Sequence, residues 1–360
     1  MKKIGIGFIG TGFTRKVQMP AFLNCEGVSL VSVASGSIEN ARSAAAEFGI
    51  GHFTADWRET ASHPEVDLVC ITTPPKLHKE MVLFAIGSGK HILAEKPMAM
   101  NVAEAIEITE AANGKPYLAL IDHELRFLPG RQKALTMIRS GEIGKIRHAR
   151  YYFEAPHRGD PNVAWNWWSD KDQGGGALGA INSHIIDSFN FFLGSEISEI
   201  FCQLQTNIKE RRTSTGEVCP VTTDDQANMI LRFADGENTQ DATGLVSVSM
   251  TDGVGYKNEI EIFGSEGAIR IGHRGDVLIS KLGEGEWKNV DVEMIEPAGD
   301  GADTGFSRGF NAFAPQIITA IREGSTEIEH AATFEDGLKV QRVLDAARQS
   351  DATKKAVNIK

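Results

Sequence analysis

Gly10-Thr11-Gly12 follows the apolar run Ile4 to Ile9 directly and leads into a helix-like stretch. Glycines at such a strand-to-helix turn let backbone N–H groups approach a pyrophosphate closely, and the helix dipole favours the anion. Gly10, Thr11, Gly12, Phe13, Thr14 and Arg15 are therefore candidates for a dinucleotide turn. Arg15 stands where a third glycine would complete G-x-G-x-x-G, so taken alone the turn is equally an ordinary strand-to-helix connection. Further on, where an NAD-binding unit often carries an acid for the ribose 2′-hydroxyl, the chain reads Ser35-Gly36-Ser37. No carboxylate in that triplet repels a 2′-phosphate. Ser35 and Ser37 can donate hydrogen bonds to one, and Arg15, Lys16 or Arg42 can supply charge, so NADP is expected over NAD. Ser37 also reads as a plain helix cap.

A second group lies beyond the middle of the first half. Trp165-Asn166-Trp167-Trp168-Ser169-Asp170 gathers three tryptophans whose faces can pack on sugar C–H surfaces or anchor a core. Trp165 and Trp167 are candidate substrate contacts, as is Arg126; His123, His157 and Arg158 can meet a polar or acidic substrate or serve as structural groups. No His pair forms H-x-x-x-H or H-E-x-x-H, and Cys25, Cys70, Cys202 and Cys219 stand far apart without a C-x-x-C. No metal centre and no disulfide framework is expected, and a reducing, cytoplasmic setting fits.

These residues need a frame. The 360 residues argue for about two domains, and 41% hydrophobic content fills sizeable cores. Against 37 Lys+Arg stand 48 Asp+Glu, a net charge of −11, which offers no field to attract nucleic acid. No apolar run approaches the roughly 18 residues of a membrane span. Ile4 to Ile9, Val28 to Ala34, Asp67 to Thr72, His91 to Ala94 and Tyr117 to Ile121 read as strands, apolar throughout as in a parallel sheet covered on both faces. Helices fit between them, one from Ser37 to Phe48 stopped by Gly49 and one from Asn101 to Ala112 stopped by Asn113-Gly114. Past Asp122 the texture changes. A helix over Pro129 to Ser140 leads to a strand over Ile146 to Glu154. A helix over Ala177 to Leu193 precedes strands at Ile197 to Thr206, Ala227 to Phe233, Leu245 to Thr251, Asn258 to Phe263, Ala268 to Ile271 and Val277 to Ser280. Helices over Phe306 to Glu323 and Thr333 to Ser350 close the chain. The expected architecture is α/β with a parallel sheet over residues 1–122, then an α+β domain over 123–360 with a large, open, mainly antiparallel sheet, the last helices packing back on the first domain.

Two further motifs make a resemblance specific. Ile71-Thr72-Thr73-Pro74-Pro75-Lys76-Leu77-His78 carries T-P-P-x-x-H, and Ala94-Glu95-Lys96-Pro97 carries E-K-P. With the glycine turn before them, they resemble the glucose-fructose oxidoreductase, inositol dehydrogenase and rhizopine-catabolism (Gfo/Idh/MocA) family. The similarity runs over nearly the whole chain, through Arg126-Phe127-Leu128-Pro129, Gly141-Glu142-Ile143-Gly144, Gly174-Gly175-Gly176 to His184-Ile185-Ile186-Asp187, Phe263-Gly264-Ser265-Glu266-Gly267 and Phe334-Glu335-Asp336. The resemblance implies a Rossmann domain and a nicotinamide-dependent oxidoreductase acting on a sugar, polyol or related carbonyl compound, assembled as a homodimer or homotetramer. It places Lys96 beside the nicotinamide and the substrate oxygen, makes His184 the acid or base, and sets Thr72, Thr73, Pro74, His78 and Glu95 among the cofactor contacts. One departure stands out: the family's aspartate four residues before the histidine is Ala180 here. Asn182 and Asp187 remain candidates near the substrate, Asp187 being able to orient the imidazole one helical turn away. Two other readings stay open, a glycoside-cleaving enzyme that uses NAD transiently and a nucleotide-binding protein without chemistry.

Overall fold

The computed structural model describes residues 3–298 and 303–359. The chain begins with β1 (Ile4–Ile9), α1 (Met19–Leu23), β2 (Val28–Ala34), α2 (Ile38–Phe48), β3 (His52–Thr54), α3 (Trp57–Ala61), β4 (Leu68–Ile71), α4 (His78–Gly87), β5 (His91–Ala94), α5 (Val102–Ala112) and β6 (Ala119–Ile121). It continues through α6 (Pro129–Arg139), β7 (Ile146–Glu154), α7 (Ser183–Leu193), β8 (Ile197–Gln205), β9 (Glu210–Arg212), β10 (Val218–Pro220), β11 (Gln226–Phe233) and β12 (Thr239–Ser249). It ends with β13 (Lys257–Gly264), β14 (Gly267–Ile271), β15 (Val277–Lys281), β16 (Lys288–Val290), α8 (Gly305–Glu323), α9 (Phe334–Thr353) and β17 (Val357–Asn358). Two compact units result: Met1–Leu128 with Ile295–Leu338, and Pro129–Met294 with Lys339–Lys360. A single cut at Asp122 does not describe this division, because α8 and its flanks belong with the first unit and α9 is divided at Leu338.

In the first unit the six strands lie in the order β3-β2-β1-β4-β5-β6, every pair parallel. The order reverses between β1 and β4, the switch point at whose carboxyl ends such sheets bind ligands. Alternate strand residues feed two cores. Phe8, Leu68, Cys70 and Leu93 pack with Phe22, Phe310 and Phe313 on one side. Ile9, Val69, Ile71 and Ile92 pack with Met81, Ile86 and Ile108 on the other. α8 belongs to the first of these cores, where Phe313 stacks on Phe127 at 4.0 Å and Phe310 meets Phe22 edge-on.

The second unit is built on nine strands ordered β16-β15-β14-β13-β7-β12-β11-β8-β17. Only the β7/β12 pair is parallel among the described residues. β11 alternates buried and exposed residues, as expected for a sheet with one covered face. The covered face joins Tyr151, Met229, Val246 and Ile260 to Ile138, Ile185, Phe189 and Leu344. The helix expected from Ala177 begins instead as a wider π-helical turn, Leu178–Asn182, and becomes α-helical at Ser183. No described helix is long and apolar enough to cross a membrane.

Candidate functional site

The glycine turn is shaped for a close ligand. Gly10 adopts φ +106°, and a Cβ there would stand 2.5 Å from Thr72 Oγ1 and 2.6 Å from its carbonyl oxygen. The position thus needs glycine twice over, for conformation and for space. At exposed Gly12 a Cβ would meet nothing within 4 Å, so the backbone there lies open to a phosphate. An open cavity of about 800 Å³ borders Thr11, Gly12, Arg15, Lys16 and Asn40. Thr14 ties the turn to the neighbouring strand end through its hydroxyl, 2.5 Å from Thr72 Oγ1, and Thr72 N–H donates to Ile9 O. These residues fit the dinucleotide that the fold implies.

At the β2 end, Ser35 Oγ accepts from Ser37 N–H, and Ser37 Oγ accepts from Asn40 N–H, capping α2. The Ser37 hydroxyl donates to Glu39 at 2.9 Å, which brings a carboxylate to a turn whose triplet has none. Arg15 is paired with Glu47, and the Arg42 guanidinium lies over the Phe53 ring. A cap, an ion pair and a cation–π contact thus engage Ser37, Arg15 and Arg42, while Lys16 lines the open cavity.

Lys96 and Glu95 follow β5, one strand beyond the β1/β4 switch point. Their charged groups are 4.0 Å apart, and Lys96 N–H donates to Glu95 Oε2. Asp122 follows β6 on the adjacent strand, and its N–H donates to Ala94 O. Gln18, from the helical turn after the glycines, donates to Asp122 Oδ2 at 2.8 Å, while Asp122 Oδ1 and Glu124 Oε2 are buried without a hydrogen-bond partner. Burial first, then the neighbouring Glu95, push the Asp122 carboxyl well above its usual range. Burial, then Asp122 and Glu95, do the same to Glu124. Glu95 is also raised by burial, with Lys96 opposing. The lysine is therefore surrounded by three carboxyls that resist ionising together.

Two expected contacts have other duties. His78 is buried, with Nδ1 3.0 Å from Pro97 O and Nε2 2.8 Å from Thr73 O, so it braces the T-P-P turn against the E-K-P turn rather than presenting a nitrogen to a cofactor. Burial lowers its pKa against the opposing pull of the carbonyls. Arg126, expected at the substrate, is buried with Nη1 donating to His330 O and 3.6 Å from Asp336. The carboxylate cluster itself was not foreseen; its sequence signal is the run Asp122-His123-Glu124 directly after the last parallel strand.

In the second unit, His184 sits buried in the first turn of α7, where Ser188 Oγ donates to its carbonyl at 2.6 Å. Asn182 is buried with Oδ1 unpartnered, its amide N–H donating to Ala177 O at a long 3.5 Å. Ala180 and Asp187 are also buried. Trp165 is engaged through Nε1 donating to Pro220 O. Trp167 lies against Trp168, whose ring carries the Arg158 guanidinium. Lys96 thus belongs to the first unit, and His184 and the tryptophans to the second. Among the described residues no group of three or more His, Cys, Asp or Glu could hold a metal ion.

A doubly wound parallel sheet with an open glycine turn, joined in one chain to a large mixed sheet, defines a dinucleotide-dependent enzyme class. Residues 4–123 match the oxidoreductase family with an NAD-binding Rossmann fold, and residues 131–270 match the GFO/IDH/MocA C-terminal domain. The chain belongs to the Gfo/Idh/MocA family of NAD-binding oxidoreductases. It is 30% identical over 395 residues to levoglucosan dehydrogenase of Pseudarthrobacter phenanthrenivorans, covering 100% of this chain and 99% of that one. A solved levoglucosan dehydrogenase in complex with NADH and levoglucosan superposes with a TM-score of 0.88 at 28% identity, over 99% and 100% of the two chains. An oxidoreductase domain protein from Kribbella flavida superposes at 0.89 with 29% identity, over 100% of both.

Proposed function

We propose that the protein is a dehydrogenase or reductase that moves hydride between a nicotinamide cofactor and a CH–OH carbon of a sugar or polyol. The observation that carries this reading is the shared edge of one parallel sheet: an open glycine turn after β1, and Lys96 with its carboxyl neighbours after β5. When bound, the nicotinamide supplies the hydride acceptor or donor. Lys96 places a cation beside the reacting oxygen and lowers the cost of negative charge there. His184 takes the hydroxyl proton in the oxidising direction and returns it in the other. Family relatives crystallised with NADH and a sugar support the substrate class.

For the cofactor, the missing acid in Ser35-Gly36-Ser37 favours NADP, whereas Glu39 supplies a carboxylate to the same turn and opposes a 2′-phosphate. With Arg15 held by Glu47, we favour NAD over NADP. Parallel fluorescence titration with NADH and NADPH tests the reading: tighter NADH binding is expected, tighter NADPH binding reverses the preference, and binding of neither removes the nucleotide reading altogether. Lys96→Ala and His184→Ala should each cut turnover on a sugar and polyol panel about a hundredfold while sparing NADH affinity. Near-normal turnover in either would refute that residue's role. The exposed face of the nine-stranded sheet, where Ile230 pairs across the strands with Phe201 and Leu245 and all three are exposed, serves assembly into a homodimer or homotetramer.

A further inference from the structure

Residues 222–224, between β10 and β11, reach two segments of the second unit at once. Thr222 N–H donates to Ser169 O at 2.9 Å, and Lys171 N–H donates to Thr222 Oγ1 at 3.0 Å. Thr223 Oγ1 donates to Trp168 O at 2.9 Å. One residue later the contacts switch to the start of the helical segment that leads to His184 and continues as α7. Ala177 N–H donates to Asp224 O at 3.0 Å, and Leu178 N–H donates to Asp224 Oδ2 at 2.6 Å. The glycines before that segment make room for this arrangement. A Cβ on Gly176, at φ +108°, would stand 2.5 Å from Asp224 Oδ1, and one on Gly175 would stand 2.5 Å from the carbonyl oxygens of both Trp167 and Trp168.

We propose that Asp224 is a positioning residue for His184: its carboxylate fixes the first turn of the segment that carries the imidazole, and Thr222 and Thr223 lock that turn to the tryptophan loop. The proposal rests on the reading of His184 as the proton carrier. A carboxylate at the start of a helical segment is a strong acceptor for N–H groups that have no partner within the segment. Here it anchors the start of the wide turn over Leu178–Asn182, the Leu178 N–H being held by a side chain 46 residues away in sequence. The site is tight: the cavity beside the carboxylate, shared with Arg158, Trp168 and Arg211, measures about 10 Å³, roughly one water molecule. Arg348 on α9, Asp225 beside it and the Cys202 thiol of β8 are the other ionisable groups facing this carboxyl. Burial raises Asp224 to about 6, while the Leu178 N–H and Arg348 oppose that rise. The ionised carboxylate is the stronger acceptor for the Leu178 N–H, so its hold on the segment weakens as the group is protonated.

The experiment compares Asp224→Ala and Asp224→Asn with the parent protein. Readouts are the pH profile of turnover, NADH affinity, and amide exchange of residues 174–184 corrected for its intrinsic pH dependence. Asp224→Ala should lower turnover about tenfold to a hundredfold, leave NADH affinity unchanged and speed exchange in that segment. Asp224→Asn keeps an acceptor oxygen that does not ionise, so it should retain most turnover at pH 8, while the exchange of residues 174–184 should no longer change between pH 7 and 5 as it does in the parent; turnover also falls in this range as an imidazole base takes up its proton. The proposal fails if Asp224→Ala matches the parent in turnover and exchange, or if Asp224→Asn keeps the parent's change of exchange in residues 174–184 between pH 7 and 5. If the alanine variant does not fold, the exchange of the asparagine variant decides. If the parent turns over no substrate, the catalytic reading fails by itself; the exchange of the parent between pH 7 and 5, set against Asp224→Asn, still tests the positioning.

Discussion

Asp122 lies one residue past β6, buried between Gln18 and the Glu95–Lys96 pair, and its proton is a property of the fold. Its carboxyl is held well above the ordinary value of 3.8, so the folded protein keeps a proton that the unfolded chain gives up near that pH. Stability from this group is complete below 3.8 and is lost as pH rises through the folded-state value. Asp122→Asn abolishes that loss. The melting temperature of the variant minus that of the parent should therefore become more positive from pH 5 to pH 8; equal differences at the two pH values would show that no ionisation cost falls on Asp122. The run Asp122-His123-Glu124 marks two carboxyls after a strand, but not their burial, since an Asp there is as readily a solvated turn. Lys96 was legible because the E-K-P motif marks it. Its carboxyl surroundings were not, because Gln18, Asp122 and Glu124 meet only when distant strand ends line up. The same limit explains His78 and Arg126: the motifs located them correctly along the chain, but burial and backbone carbonyls decide what they touch.

Among the elements, the turn after β1 offers a sharp contrast between two glycines. Gly10→Ala forces a Cβ against Thr72 at a positive φ, so it should both destabilise the protein and weaken NADH binding. Gly12→Ala meets open space and should shift the melting temperature little while still lowering NADH affinity, because the new methyl lies where a phosphate must approach. Thermal melts and NADH titrations on both variants check this; equal stability losses would contradict the geometry. The parallel strands were readable because burial on two faces leaves them apolar throughout. β3, β9, β10, β16 and β17 escaped notice because two or three residues carry no measurable period. β12 starts earlier than its apolar run, at Thr239, because an irregularity before Thr243, with Asp241 at φ 47°, interrupts the pattern. The side chain that accepts the first N–H of the wide turn before α7, Asp224, lies far along the chain, so no local pattern announces it.

Over the whole molecule, the open face of the nine-stranded sheet carries Phe201, Ile230 and Leu245, exposed by 38%, 60% and 38%. Ile230 pairs across the strands with both of the others, so the three form one apolar row. In the proposed oligomer this row is the contact, so Ile230→Glu should lower the sedimentation coefficient relative to the parent without changing secondary structure; a parent that sediments as a monomer, or an unchanged coefficient in the variant, would overturn that assignment. The change of texture at Asp122 marks the passage from one sheet to the other, while the division itself falls after Leu128. The last helices, expected to pack back on the first domain, part company: α8 lies in the first unit and α9 from Lys339 in the second, because a helix announces an apolar face but not which core that face completes. The return of α8 to the first core matters while the chain is being made. β1 to β6 are synthesised before α8, so the side of the sheet bearing Phe8 and Phe22 lacks Phe310 and Phe313 until α8 has been made. From the completion of β6 at Ile121 until α8 begins at Gly305, the nascent chain carries an uncovered aromatic surface, a natural docking point for holdase chaperones. A fragment released at Leu128 would expose that surface permanently and would be expected to aggregate.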